Sequence, residues 1–272
     1  MAMVINSNPA SLGAQRNLAN TQKSLSANLQ KLSSGSRISQ ASDDAAGLGI
    51  SERLKAQTRS LSQASRNAND GISMIQVAEG AMNEQSGILS RLRELAVQSA
   101  NGTLGTQERG YIQAEADELV GELDRISSVT EFNGINMIDA AATSIDMQVG
   151  INNGDTITLD FGPTDTATLG VDALDYSSAA GASAAIDSID AAIDTLSSQR
   201  ATVGAASNRM QVTLTNLSSA HENLSAANSR IRDVDVAEET ASMTRNQILS
   251  QAGVAVLAQA NQLPSAALSL LG

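Results

Sequence analysis

Few residues in this chain have the types and spacing that chemistry asks for. Asp43 and Asp44 are adjacent carboxylates, the raw material of acid/base work, but no titrating partner stands near them and Ser42 precedes them. A hydroxyl followed by two carboxylates is better read as the start of a helix. Ser42 is expected to cap it, and the two negative charges complement the macrodipole in its first turn. Gly47-Leu48-Gly49 has no strand before it and no third glycine at the spacing of a dinucleotide-binding turn. The single histidine, His221, excludes any site needing two imidazoles, and the absence of Cys excludes disulfides and thiol chemistry. There is no His-Glu-x-x-His, no Ser/His/Asp set beyond that one His and no Gly-rich phosphate loop. Neither an enzyme nor a cofactor is expected.

What the residues do carry is a long apolar repeat. Leu54, Leu61, Ala68, Ile75, Met82, Leu89 and Ala96 step by seven without a miss, and Ala64, Gly71, Ala78 and Leu92 follow three later. This pattern predicts one coiled-coil helix from Ser42 to Asn101, roughly 85–90 Å long at the usual rise per residue. Ile189, Leu196, Val203, Met210, Leu217, Leu224 and Ile231 repeat the step near the other end, with Ala192, Ala206, Ala220 and Ala227 in the small row. Seven heptads outrun the core of one globular domain, so the two rods are expected to pack on each other and bring the chain ends together. His221 falls on neither row and reads as a partly exposed polar position.

Shorter elements fill the gaps. Leu18, Leu25, Leu29 and Leu32 mark a first helix that Gly35 stops. A third helix is expected from about Thr106 to Ser128, with Ile112, Ala116, Leu119, Leu123 and Ile126 on one stripe. Phe132-Asn133-Gly134 is turn chemistry. Between Ile145 and Phe161 the apolar period becomes two, with Asn153-Gly154 at the centre. A three-residue loop, Asn153 to Asp155, would set Met147 opposite Phe161 and put all seven apolar residues on one face. Gly162 to Ala182, acidic and rich in Gly, Ser and Thr, reads as a short surface connection. Asp233-Val-Asp-Val236 breaks the second rod. A last helix then carries Ile248, Leu249, Val254, Val256 and Leu257 around much of its circumference, which predicts burial on all sides. Pro264 is expected to kink or restart it before Leu268, Leu270 and Leu271.

The fold class expected is therefore mainly α: long antiparallel coiled-coil helices with one small β-hairpin at about 143–161, and paired N- and C-terminal helices. Of 272 residues only four are Phe or Tyr, which suits an elongated Ala-, Ser- and Leu-built object. The net charge of −12 is concentrated between Glu115 and Asp194, where sixteen acidic residues face one basic residue, Arg125. Such a segment is a poor partner for nucleic acid. No apolar run is long enough for a membrane span, and the opening residues lack a cleaved secretory signal.

The ends pose a thermodynamic problem. Ten large apolar side chains from Met1 to Ile38 would contribute roughly 15–30 kcal/mol if buried. Ordering some forty backbones costs about 40–80 kcal/mol. Both ends are thus expected to be disordered in the monomer and to fold once neighbouring copies cover them.

Several stretches then resemble bacterial flagellin: Leu32-Ser-Ser-Gly-Ser-Arg-Ile38, Asp43-Asp-Ala-Ala-Gly-Leu-Gly-Ile50, Arg93-Glu-Leu-Ala-Val-Gln-Ser-Ala-Asn101, Phe132-Asn-Gly-Ile135, Gln247-Ile-Leu-Ser-Gln-Ala-Gly253 and Val256 through Leu271. The likeness covers nearly the whole chain. It implies a structural subunit that self-assembles into the flagellar filament, secreted through the flagellar type III apparatus; the alternatives are a hook–filament junction protein with flagellin-like ends and a secreted coiled-coil binding module that does not polymerise. Residues 1–42 and 232–272 would form an inner-tube helical domain, using Leu18, Leu25, Leu29, Leu32, Ile248, Leu249, Val256, Leu257, Leu263, Leu268, Leu270 and Leu271. Residues 43–231 would form the outer-tube domain, without the outward domains of larger relatives. Partners implied are further copies of the chain, an export chaperone on the C-terminal helix, and the filament cap and hook–filament junction proteins. The resemblance also implies an animal Toll-like receptor as a partner, through Arg91, Leu95, Gln98 and Glu115.

Overall fold

The computed structural model describes residues 7–142 and 144–269, with side chains as far as Gln262. In chain order the helices are α1 (Pro9–Ser34), α2 (Ala45–Ser99), α3 (Thr106–Val129), α4 (Thr166–Leu169), α5 (Ala179–Arg232) and α6 (Val236–Ser269). The strands are β1 (Glu131–Phe132), β2 (Ile135–Asn136), β3 (Ile145–Gln148) and β4 (Thr156–Leu159). Two compact units result, Met1–Gln57 with Asn223–Gly272, and Thr58–Glu222, and both α2 and α5 contribute to each.

In the first unit α1 and α6 run antiparallel and close, with Cα pairs within 8 Å and Leu18 packed against Gly253. The links that follow α1 and α5 pair with each other. Arg37 N–H donates to Arg232 O at 2.6 Å and Val234 N–H to Gly35 O at 3.1 Å. The start of α2 differs from expectation. Asp44, not Ser42, accepts from Gly47 N–H at 2.9 Å and so satisfies one of the free donors of the first turn. Asp43 faces backward and accepts from Ser39 N–H and Gln40 N–H. Those two backbone donors, Gln40 first, hold its carboxyl below the ordinary value. Both carboxylates thus serve the backbone.

The heptad rows form the core of the second unit. Leu61, Ala68, Ile75, Met82, Leu89 and Ala96 of α2 are buried, as are Ile189, Leu196, Val203, Met210 and Leu217 of α5. Leu54, Leu224 and Ile231, at the ends of the rows, are half-buried, as is His221. Close approach is visible at Gly71, where an added Cβ would sit 2.5 Å from Met210 Cε. The third helix adds Ile112, Ala116 and Leu123 to this core. It also closes the end of α2, because Arg109 donates to Ser99 O and Asn101 O at 2.9 and 3.0 Å. Asn133 and Gly134, both at positive φ (52° and 78°), turn β1 into β2 with Phe132 opposite Ile135. That is the two-residue hairpin geometry that Asn-Gly favours.

The β3–β4 hairpin keeps the expected face but not the expected register. Met147 pairs with Ile157 and Ile145 with Leu159, whereas a three-residue loop would set Met147 opposite Phe161. Asp155 decides this. Its carboxylate accepts from Asn152 N–H and its carbonyl from Val149 N–H at 2.9 Å, which closes a longer loop over Gly150–Gly154. Ile151 therefore stands exposed in the loop instead of joining the apolar face.

The segment after the hairpin is a surface connection only in part, with Ala167, Thr168, Gly170, Asp172, Ala173 and Asp175 exposed. Phe161, Thr164, Leu169, Val171 and Tyr176 are buried. Helical side chains hold the segment by its backbone: Gln85 Nε2 donates to Thr164 O, Ser99 Oγ to Tyr176 O at 2.5 Å and Gln113 Nε2 to Leu174 O. Tyr176 N–H in turn donates to Gln113 Oε1. The loop is a clasp over α2 and α3, built from polar residues whose backbone groups find partners and a few large side chains that fill the space below.

Candidate assembly surface

The rows expected to line a self-assembly face lie on α1 and α6, and the lone chain does not bury them. Among the described residues, the buried positions of α1 are Ser11 and Asn28, and in α6 Ala260 alone is buried. Leu18, Leu25, Leu32 and Leu257 are half-buried. Leu29 is exposed, as are Leu12, Val236, Ile248, Leu249, Val254 and Val256, the last four at 51–61%. A helix apolar on all sides calls for burial on all sides. In a two-helix pair only one side of α6 has a neighbour, so the rest faces outward. The side chains of Leu263 and Leu268, and Leu270 and Leu271 altogether, lie outside the described residues.

Polar residues register the pair, and sequence periodicity did not single them out. Asn8 Nδ2 donates to Ala260 O at 2.8 Å and Ser11 Oγ to Asn261 Oδ1 at 2.8 Å. Asn28, turned so that its amide nitrogen meets Ser24 O and Glu239 Oε1, accepts from Asn246 Nδ2 at 3.2 Å. A buried Asn between two helices specifies their alignment better than it stabilises them. The signal available in the sequence was Asn8-Pro9, a helix start with Pro at the first position. The helix does not restart at Pro264, since α6 remains helical to Ser269.

On the second unit, Arg91, Gln98 and Glu115 are exposed on α2 and α3. Arg91 Nη2 meets Glu115 Oε1 at 2.7 Å and Arg91 Nη1 meets Glu94 Oε2 at 3.0 Å. These two carboxylates, Glu115 first, hold the guanidinium above its usual value. The fourth residue grouped with them, Leu95, is 1% exposed. It stands on the core side of α2, so it offers no surface to a receptor. Arg93, its neighbour, pairs with Asp190 of α5 at 2.6 Å.

No helix among the described residues is long and apolar enough to cross a membrane. Residues 5–143 match the family described as the bacterial flagellin N-terminal helical region, and residues 186–271 the bacterial flagellin C-terminal helical region. A flagellin of Halalkalibacterium halodurans is 46% identical over 271 residues, covering 99% of this chain and all of the relative. The flagellar filament 33 kDa core protein of Treponema phagedenis is 45% identical and the flagellin of Bacillus subtilis 42% identical, with 99% of this chain and all of each relative covered. In structure, the crystal structure of Bacillus cereus flagellin aligns with a TM-score of 0.53 at 32% identity, over 60% of this chain and 94% of that one.

Proposed function

The chain belongs to the bacterial flagellin family, and from that premise we propose that its α1–α6 pair is an inner-tube domain completed only by neighbouring copies. It is a structural subunit of the flagellar filament. The observation that carries the assembly reading is the open apolar face. Seven large apolar side chains on α1 and α6 stand exposed: Leu12, Leu29, Val236, Ile248, Leu249, Val254 and Val256. Burying the exposed half of each contributes on the order of 5–10 kcal/mol per subunit. Association itself costs a comparable amount, so a lattice in which each copy touches several neighbours suits this surface better than a dimer does. Residues 43–231 form the outer-tube domain in this reading, and the filament is extracellular.

The finer partners follow the same surfaces. Before assembly, the exposed side chains of α6 require cover, which is the task of an export chaperone. The filament cap and the hook–filament junction proteins meet the same α1–α6 ends. Arg91, Gln98 and Glu115 are the exposed positions through which an animal Toll-like receptor would bind, with Leu95 acting only by packing beneath them. Catalysis has no place in this function.

Seeded growth tests the proposal. Purified chain added to filament seeds is expected to elongate them without limit. A chain lacking residues 237–272 is expected to keep the second unit folded by circular dichroism while failing to elongate. Elongation by that truncated chain, or limited addition by the full chain, would overturn the reading.

A further inference from the structure

An α-helix that runs through a proline has a carbonyl to account for. In α6 that proline is Pro264, and the N–H it lacks would have served Ala260 O, four residues back. Ala260 is buried, so solvent is a poor substitute. The partner is present elsewhere: Asn8 Nδ2 donates to Ala260 O at 2.8 Å. The other arm of the same carboxamide is also occupied, since Asn8 Oδ1 accepts from Ser11 N–H at 3.1 Å and so caps α1. Ser11 Oγ and Asn261 Oδ1 join one residue further on.

We infer that Asn8 is a positioning residue for assembly: its one side chain starts α1 and replaces the backbone donor that Pro264 removes from α6. Among the short side chains that cap helices, Asn alone combines an acceptor on one arm with an amide donor on the other. Asp caps equally well but has no donor, and it sets a carboxylate against the Ala260 carbonyl. The course of α6 beyond Ala260 therefore depends on the first turn of α1, and the two ends of the chain order together or not at all. This rests on the filament reading, in which the α1–α6 pair is the part that neighbouring copies complete.

Four full-length chains test it: the parent, Asn8→Asp, Pro264→Ala and the double variant. Each is grown from filament seeds, and the subunit concentration left at plateau is measured. Asn8→Asp is expected to raise that concentration about tenfold, the effect of leaving a buried carbonyl without its donor. With the backbone N–H restored by Pro264→Ala, the same substitution is expected to change it less than about twofold. An equal penalty in both backgrounds, or none in either, overturns the inference. Should Asn8→Asp stop growth altogether, the double variant decides: growth regained supports the coupling, and growth still absent overturns it. A parent chain that fails to elongate seeds would instead count against the filament reading itself.

Discussion

Replacing Tyr176 by Ala removes the largest fully buried side chain of the second unit and tests whether residues 161–176 are part of its core. Tyr176 is 0% exposed. An aromatic of this size buries about 150–250 Å², worth roughly 4–6 kcal/mol at 25 cal/mol per Å². Measured aromatic-to-Ala losses run to about 3–5 kcal/mol, so the expected loss is about 4 kcal/mol. The unit spans Thr58–Glu222, a size at which each kcal/mol lowers Tm by about 2–4 °C. The expected fall is about 8–16 °C, read as the far-ultraviolet circular dichroism melt of the full chain in dilute solution. Tyr176→Phe is the control. The phenol donates to Leu92 O at 3.3 Å, long for a hydroxyl donor, so losing it should cost less than about 1 kcal/mol. A Tyr176→Ala melt within about 3 °C of the parent would refute the clasp and return the segment to a loosely held surface connection.

The same residue gives a pH dependence. Burial first, and then the charge of Asp117, push its phenol up from 10.0 to about 12. Because the folded value lies above the unfolded one, this stabilisation is complete below about pH 10 and lost between about pH 10 and 12, roughly 3 kcal/mol in all. Unfolding free energies from denaturant titrations across that range should fall in the parent by this amount more than in Tyr176→Phe. Asp44→Ala should cost about 1 kcal/mol at the start of α2 and speed hydrogen exchange at Gly47 and Leu48, whereas Ser42→Ala should leave both unchanged. At Gly162, φ is +62° and an added Cβ would overlap the Gln199 carboxamide. Gly162→Ala should therefore destabilise the second unit by more than about 2 kcal/mol in thermal melts.

Much of the fold was legible because it is periodic. A seven-residue repeat declares a buried stripe using only neighbours in the chain, so α2, α5 and their core rows could be read directly from Leu61 to Ala96 and from Ile189 to Leu217. The same locality made α3 and the Asn133-Gly134 turn readable. In the hairpin it gave the right face, since parity is local, and the wrong register, since Asp155 decides that through its own carboxylate and carbonyl. At the assembly surface the apolar rows of α1 and α6 were visible as composition, but not which of them one neighbouring helix would cover.

What only the tertiary structure decided depends on partners far away along the chain. Gly162 to Tyr176 looks polar and exposed when its residues are considered alone. Thr164, Leu169, Val171 and Tyr176 are nonetheless buried, and Gln85, Ser99 and Gln113, between 61 and 79 residues distant, satisfy the backbone of the segment. Asn8 and Ala260 stand 252 residues apart, and no periodicity joins them. Side-chain pattern is written locally and determined the helices and their buried rows. The pairing of single polar groups across the fold is not, because a hydrogen bond depends on where folding brings the two groups and not on the residues beside them.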